Sequence, residues 1–329
     1  MSGEYRRRIK YYESDRMDVV HHSNYLRIIQ RILLLALILS ILLFSAPGCG
    51  KAKKEVSAES TFNFMNYSSD EIKDIEQIAL GSSLSDFCVS YKFTYISDYN
   101  EVKGYISIPL SCISDEKPYK CILYNRGGNF RVGLLEDDDT AKICQQTNRI
   151  VIASQYRGCD GGTGSDEFGG ADVDDVIKLI DFSEMFPFID MSDYCAMGVS
   201  RGGMMSYISA KRDNRIKKII AVSAVSDLTK AYYDREDMKK ILTNCIGATP
   251  EASPQEYEER SAICWPNEIT VPTLIIHSKN DKQVSYSQAE DLHNALKQNG
   301  TTCKLISYDD DIHGFHTEDK DEILKWLDD

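Results

Sequence analysis

YCAMGVSRGGMM, residues 194–205, is the stretch that decides what kind of chain this is. A run of small and apolar residues enters Gly198, Val199, Ser200, Arg201 and Gly202, and a further glycine and two methionines follow. One explanation is a loose turn that needed flexibility. The other is a serine held on a strained corner between a strand and a helix, with its hydroxyl clear of the sheet. Gly198 and Gly202 would then let strand and helix approach with no Cβ between them. A helix beginning near Gly202 would aim the positive end of its dipole at the serine oxygen. Five residues of this pattern can arise by chance, so the flanking sequence has to choose.

Around this stretch lie other short apolar runs, CILY (121–124), IVIAS (150–154), KIIAVSA (218–224), TLIIHS (273–278) and KLISY (304–308). Runs of this length bounded by turn residues predict strands buried on both faces, as in a parallel sheet. Residues 89–96 and 102–108 instead alternate, and Ser97 to Asn100 between them predicts an antiparallel hairpin. Helical periodicity covers 172–188, 285–298 and 317–327, the second closed by the Asn299–Gly300 stop signal. Strands alternating with helices predict an α/β fold, a mostly parallel doubly wound sheet with helices on both faces and the hairpin at one edge. Residues 226–268 interrupt the alternation, where a small cap would sit.

An acid and a base follow the serine at corresponding places. TLIIHSKNDKQV puts Asp281 in the turn after one strand, and KLISYDDDIHGF puts His313 in the turn after the next, with His316 as the runner-up base. Ser200, Asp281, His313 is the chain order of the α/β-hydrolase fold. In that arrangement the imidazole takes the serine proton and the carboxylate holds its tautomer. An oxyanion site needs backbone donors: the N–H of Arg201 is one candidate, and the turn LYNRGGNF (123–130) offers another near Arg126 or Gly127. Taken singly, Asp281 could be a solvated turn residue, His313 a loop histidine, and the two glycines a simple tight turn.

With these residues in place the chain resembles the catalytic domain of the prolyl oligopeptidase family of serine peptidases. The matching pieces are VKGYISIP, LYNRGGN, QYRGCDGGTGSDEFGGADVDDV, GVSRGG, LIIHSKNDKQVSYSQAEDL and YDDDIHGF, spanning roughly 89–329. The resemblance implies a peptidase; the chemistry serves peptides and esters alike, through an acyl-enzyme. Arg126 stands where the family usually has histidine, and no β-propeller precedes the sheet. Tyr156, Arg157, Gly158 and Asp175 also follow the family pattern, Arg157 being read as structural, tying a loop down by an ion pair. A carboxylesterase of the same fold, or a binding protein on a retired hydrolase fold, are the alternatives. Arg126 and Arg201 beside the oxyanion site suggest, in addition, attraction of a substrate carboxylate.

Length and composition agree with a large globular body. The chain has 329 residues, 42% of them hydrophobic, and a formal charge of −13 that argues against a polyanionic partner such as nucleic acid. Nothing in the sequence asks for a cofactor, and no Cys/His spacing suits a metal. Of ten cysteines, setting Cys49 aside, Cys195 reads as a buried thiol, and Cys245 with Cys264 or Cys112 with Cys121 as candidate bridges.

The first residues stand apart. Seven Lys or Arg residues occur within 1–31, followed by an apolar segment over 32–48 whose core is 32–46, and then Cys49. That run is shorter than the about 20 residues of a comfortable span and resembles a signal-peptide core. The small residues before Cys49 resemble the lipobox of bacterial lipoproteins. Lipid on Cys49, or an uncleaved anchor, would attach the chain to a membrane with residue 50 onward outside the cytoplasm. Residues 49–75 read as a tether and 76–329 as the catalytic domain. Residues 11–26 (YYESDRMDVVHHSNYL) resemble the opening of hotdog-fold acyl-CoA thioesterases, whose catalytic residues would fall on Asp15 and His21 or His22. With only about twenty residues matching, the stretch is read as a fusion remnant or a misplaced start.

Overall fold

Nine strands form one sheet in the computed structural model, which describes residues 62–115 and 117–329. The order is β1-β2-β3-β5-β4-β6-β7-β8-β9. β1 (Ile72–Gln77), β2 (Cys88–Ser97), β3 (Asn100–Pro109) and β5 (Ile150–Ser154) pair antiparallel in turn. From β5 through β4 (Tyr119–Asn125), β6 (Ile189–Val199), β7 (Ile216–Val222), β8 (Thr273–Ser278) and β9 (Cys303–Tyr308) every pair is parallel. This is the mostly parallel α/β sheet foreseen from the alternation, in the α/β-hydrolase form expected from the order of Ser200, Asp281 and His313. The β2–β3 turn is Asp98–Tyr99, both at positive φ, the tight form that suits the twist of a hairpin.

Continuous apolar runs become strands buried twice over because successive side chains point to opposite faces. Tyr194 and Ala196 of β6 enter the core under one face, Cys195 and Met197 the core under the other; Ile219 and Ile220 of β7 divide likewise. The helices Asp172–Met185, Arg201–Arg212 and Tyr286–Gln298 contribute Leu179, Met205 and Leu292 to the first core. Asp139–Thr147 and Asp319–Asp328 contribute Cys144 and Leu327 to the second. Between β7 and β8 the cap comprises the helices Leu228–Asp234, Glu236–Ile246 and Pro254–Glu259 with two short 3-10 turns.

Two expectations are corrected. The tether does not extend to 75: Phe64 is wholly buried among Tyr91, Phe93 and Phe186, and β1 pairs with β2, so the folded body includes residues from 62. No disulfide joins Cys245 to Cys264 or Cys112 to Cys121; the nine described cysteines are free thiols. Cys264 is exposed while Cys245 is buried, and Cys112 and Cys121 are both buried but unbridged. Cys195 is buried as expected. The signal or membrane segment, Cys49 and the thioesterase-like stretch lie outside the described residues. Among the described residues no helix is long and apolar enough to cross a membrane.

Candidate active site

From β4 the chain moves to β5 on one side and then to β6 on the other, which opens a crevice between the C-terminal ends of β4 and β6. Ser200 sits there, between the last residue of β6 and the helix Arg201–Arg212, at φ 57° and ψ −122°. A non-glycine residue holds such a conformation only where its surroundings enforce it. Here its N–H donates to Val222 O at 2.9 Å and its carbonyl accepts from Gly203 at 3.0 Å. The glycines are there for close approach. A Cβ on Gly198 would lie 2.2 Å from Gly202 C, and one on Gly202 1.9 Å from Asn125 O. The flexible-turn explanation fails: this corner is tightly packed.

Asp281 and His313 are brought together by a lacing of the turns after β8 and β9. Lys279 N–H donates to Tyr308 O (2.8 Å) and Asn280 N–H to Asp310 O (2.9 Å), while Gly314 N–H donates to Ser223 Oγ (3.1 Å) at the end of β7. His313 Nδ1 then meets Asp281 Oδ2 at 2.7 Å. The other carboxylate oxygen, Oδ1, accepts from Gln283 N (2.7 Å) and Val284 N (3.2 Å). Burial alone would raise the Asp281 pKa, but hydrogen bonds from His277, His313 and Gln283 outweigh it and hold the carboxyl far below its ordinary range. His316, the runner-up base, is turned elsewhere: it stacks on Tyr308 and bonds Ser278 and Asp310.

Ser200 and His313 line one cavity of about 350 Å³, along with Gly127 and Arg201. Part of its apolar wall comes from the cap, through Leu228, Ala231, Met238 and Ile241, with Arg235 and Asp237 also lining it, and Phe168, Val225 and Val284 line it from outside the cap. No hydrogen bond joins Ser200 to His313 among the described residues; such contacts commonly tighten when substrate arrives.

Arg201 is the first residue of its helix, where a backbone N–H has no intrahelical acceptor. Gly127 packs beside the serine, its Cβ position being 3.4 Å from Ser200 Cβ. The peptide unit joining Arg126 to Gly127 is fixed from behind, since Tyr156 Oη donates to Arg126 O at 3.1 Å. The Gly127 N–H, trans to that carbonyl, has no acceptor among the described residues. The Arg126 guanidinium donates to Gly127 O (2.9 Å) and Gln155 O (2.8 Å), and that of Arg201 to Gly128 O (3.2 Å).

The expected attraction of a substrate carboxylate by Arg126 and Arg201 is therefore overturned. Both guanidinium groups are buried, 4.8 Å from the Tyr156 ring centre, and Arg201 is ion-paired with Asp166 and Asp172. Burial alone would depress the Arg201 pKa, but those carboxylates lift it and keep it charged. Two cations and two anions make the cluster neutral. Arg157 does what was foreseen, pairing with buried Asp175 at 2.7 Å. The sequence reading missed Tyr156 and Asp166 as supports for the turn after β4, which they bond at Arg126 O and Phe130 N. It also missed His277, whose only signal was a polar side chain inside the run TLIIHS.

The fold, the serine corner and the laced acid and base turns define a serine hydrolase of the α/β-hydrolase class. The sequence model of the prolyl oligopeptidase family matches residues 138–329, more than half of the chain. The chain belongs to that family. It is 29% identical over 238 residues to the uncharacterized peptidase YtmA of Bacillus subtilis, covering 72% of this chain and 91% of that one. It is 25% identical over 224 residues to dipeptidyl-peptidase 5 of Porphyromonas gingivalis, covering 60% of this chain and 31% of that protein. Among solved structures, acylaminoacyl peptidase of Pyrococcus horikoshii superposes with a TM-score of 0.64 at 16% identity, over 77% of this chain and 44% of that one. The chain thus spans nearly all of YtmA and less than half of the other two.

Proposed function

We propose that this protein hydrolyses short peptides through an acyl-enzyme on Ser200, with carboxylic esters as substrates of the same machinery. The observation that carries the proposal is the 2.7 Å contact of His313 Nδ1 with buried Asp281, at a cavity that also holds the strained Ser200. Asp281 fixes the imidazole with its proton on Nδ1, leaving Nε2 free to take the serine proton as Oγ attacks the carbonyl carbon. The developing oxyanion is stabilised by the N–H of Arg201 and by that of Gly127, the Arg126 N–H being the alternative to the latter. His313 then returns the proton to the leaving amine or alcohol, and water repeats the cycle to release the acid. The names of the relatives favour peptides over esters.

Attachment to a membrane belongs to the same proposal. It rests on the apolar run 32–46 and on Cys49, either as the lipidated residue or as part of an uncleaved anchor, with the catalytic body on the extracytoplasmic side.

The test is labelling of the full-length chain with a fluorophosphonate probe, beside Ser200→Ala. Labelling confined to the wild type supports the assignment. A folded wild-type protein that stays unlabelled would return the chain to the retired-hydrolase reading.

A further inference from the structure

His277 sits in the penultimate position of β8, four residues before Asp281, and is wholly buried. Its Nε2 lies 2.9 Å from Val284 O and 3.3 Å from Asp281 Oδ2. Both neighbours are acceptors, so this nitrogen carries the proton and His277 is held as one tautomer. Its Nδ1 is buried with no partner among the described residues. Leaving a buried ring nitrogen unpaired costs stability, and a strand position among Ile275, Ile276 and Ser278 could have carried an apolar residue at no such cost.

That expense points to the carboxylate. Oδ1 of Asp281 takes two backbone N–H groups; Oδ2 takes the Nδ1–H of His313 at 2.7 Å and has the Nε2–H of His277, bonded first to Val284 O, beside it at 3.3 Å. Three donors leave one of the roughly four lone-pair sites of a carboxylate open, and the His277 N–H stands next to it. With His277 removed, Oδ2 would have His313 alone beside it, and the carboxylate plane could swing about the pivot at Oδ1. Val284 O, which belongs to a residue lining the cavity, would lose its donor as well.

We propose that His277 is a positioning residue of the reaction: a second imidazole that fixes the plane of Asp281 and thereby aims His313 at Ser200. It touches neither substrate nor reacting atoms. This inference rests on the assignment of Ser200, Asp281 and His313 made above. A glutamine can place its amide N–H near the position of the imidazole Nε2, whereas an asparagine reaches only to the position of Nδ1. His277→Gln keeps the donor, and His277→Asn and His277→Leu lose it.

The experiment compares full-length wild type, the three His277 variants, Ser200→Ala and Asp281→Asn on a 4-nitrophenyl ester and on the rate of fluorophosphonate labelling. Expected is a fall in kcat of about 10- to 100-fold for His277→Asn and His277→Leu, the size of one hydrogen bond to a charged group, with KM within about twofold. His277→Gln should recover kcat to within about threefold of wild type. A merely structural role would not separate Gln from Asn in kcat at constant KM. The Gln/Asn contrast decides the matter even if the leucine variant does not fold. Equal kcat for the two amides, or wild-type kcat in the Asn variant while Ser200→Ala and Asp281→Asn are inactive, overturns the inference alone. Activity surviving in Ser200→Ala overturns the triad assignment beneath it.

Discussion

Replacing Asp281 by asparagine alters a single atom and should nearly silence the enzyme. The backbone N–H groups of Gln283 and Val284, at 2.7 and 3.2 Å, demand an acceptor at the Oδ1 position. They would therefore orient the asparagine with its carbonyl oxygen there and its NH2 at the former Oδ2. That NH2 then faces His313 Nδ1 across 2.7 Å and forces the nitrogen to accept. The imidazole proton moves to Nε2, and the ring can no longer take the proton of Ser200. The NH2 also meets the Nε2–H of His277, donor against donor. A wrong-tautomer substitution of this kind lowers kcat by about 10⁴-fold in the worked serine-protease case, or about 5 kcal/mol of barrier. The assay is kcat/KM on a 4-nitrophenyl ester, with fluorophosphonate labelling rate as a substrate-independent check. Activity within about tenfold of wild type in a folded Asp281→Asn protein, with Ser200→Ala dead, would refute the role given to Asp281.

The same residue makes stability depend on pH. Its carboxyl lies far below 3.8 in the folded chain and returns to about that value on unfolding, so the stabilisation is whole above pH ~4 and is lost as pH falls below it. Urea midpoints at pH ~5 and ~3 should therefore fall less for Asp281→Asn than for wild type. Tyr156→Phe removes the hydroxyl that holds Arg126 O and should lower kcat by about tenfold at little changed KM, with a loss of about 1–3 kcal/mol in denaturant unfolding. Gly202→Ala drives a Cβ to 1.9 Å from backbone oxygen, and its destabilisation should reach or pass the upper end of the about 1–3 kcal/mol typical of overpacking, seen as a lowered Tm.

Much of this was legible because it is local. A strand buried on both faces must be apolar along its whole length, so β4 to β8 could be read as runs; β9, read the same way, is an edge strand with no buried residue, because only β8 flanks it. The serine corner could be read because two glycines are needed where Asn125 O and Gly202 crowd in. β1 was hidden for a local reason too: Asp74 at φ 50° and a register shift between Lys73 and Glu76 break the alternation of a six-residue strand. The fate of Arg126 and Arg201 could not be read from neighbours. Arg201 finds Asp166 and Asp172 some thirty positions earlier in the chain, and only the folded sheet brings them together. The same holds for His277, whose partner Val284 O becomes visible only when the turn after β8 closes.

The bonds that lace the turns after β7, β8 and β9 make Asp281 and His313 move as one part. Part of the cavity wall comes from elsewhere, the cap helices between β7 and β8. Cap residues are therefore free to change in size and charge, and with them the substrates admitted, while the acid–base distance stays set by the sheet.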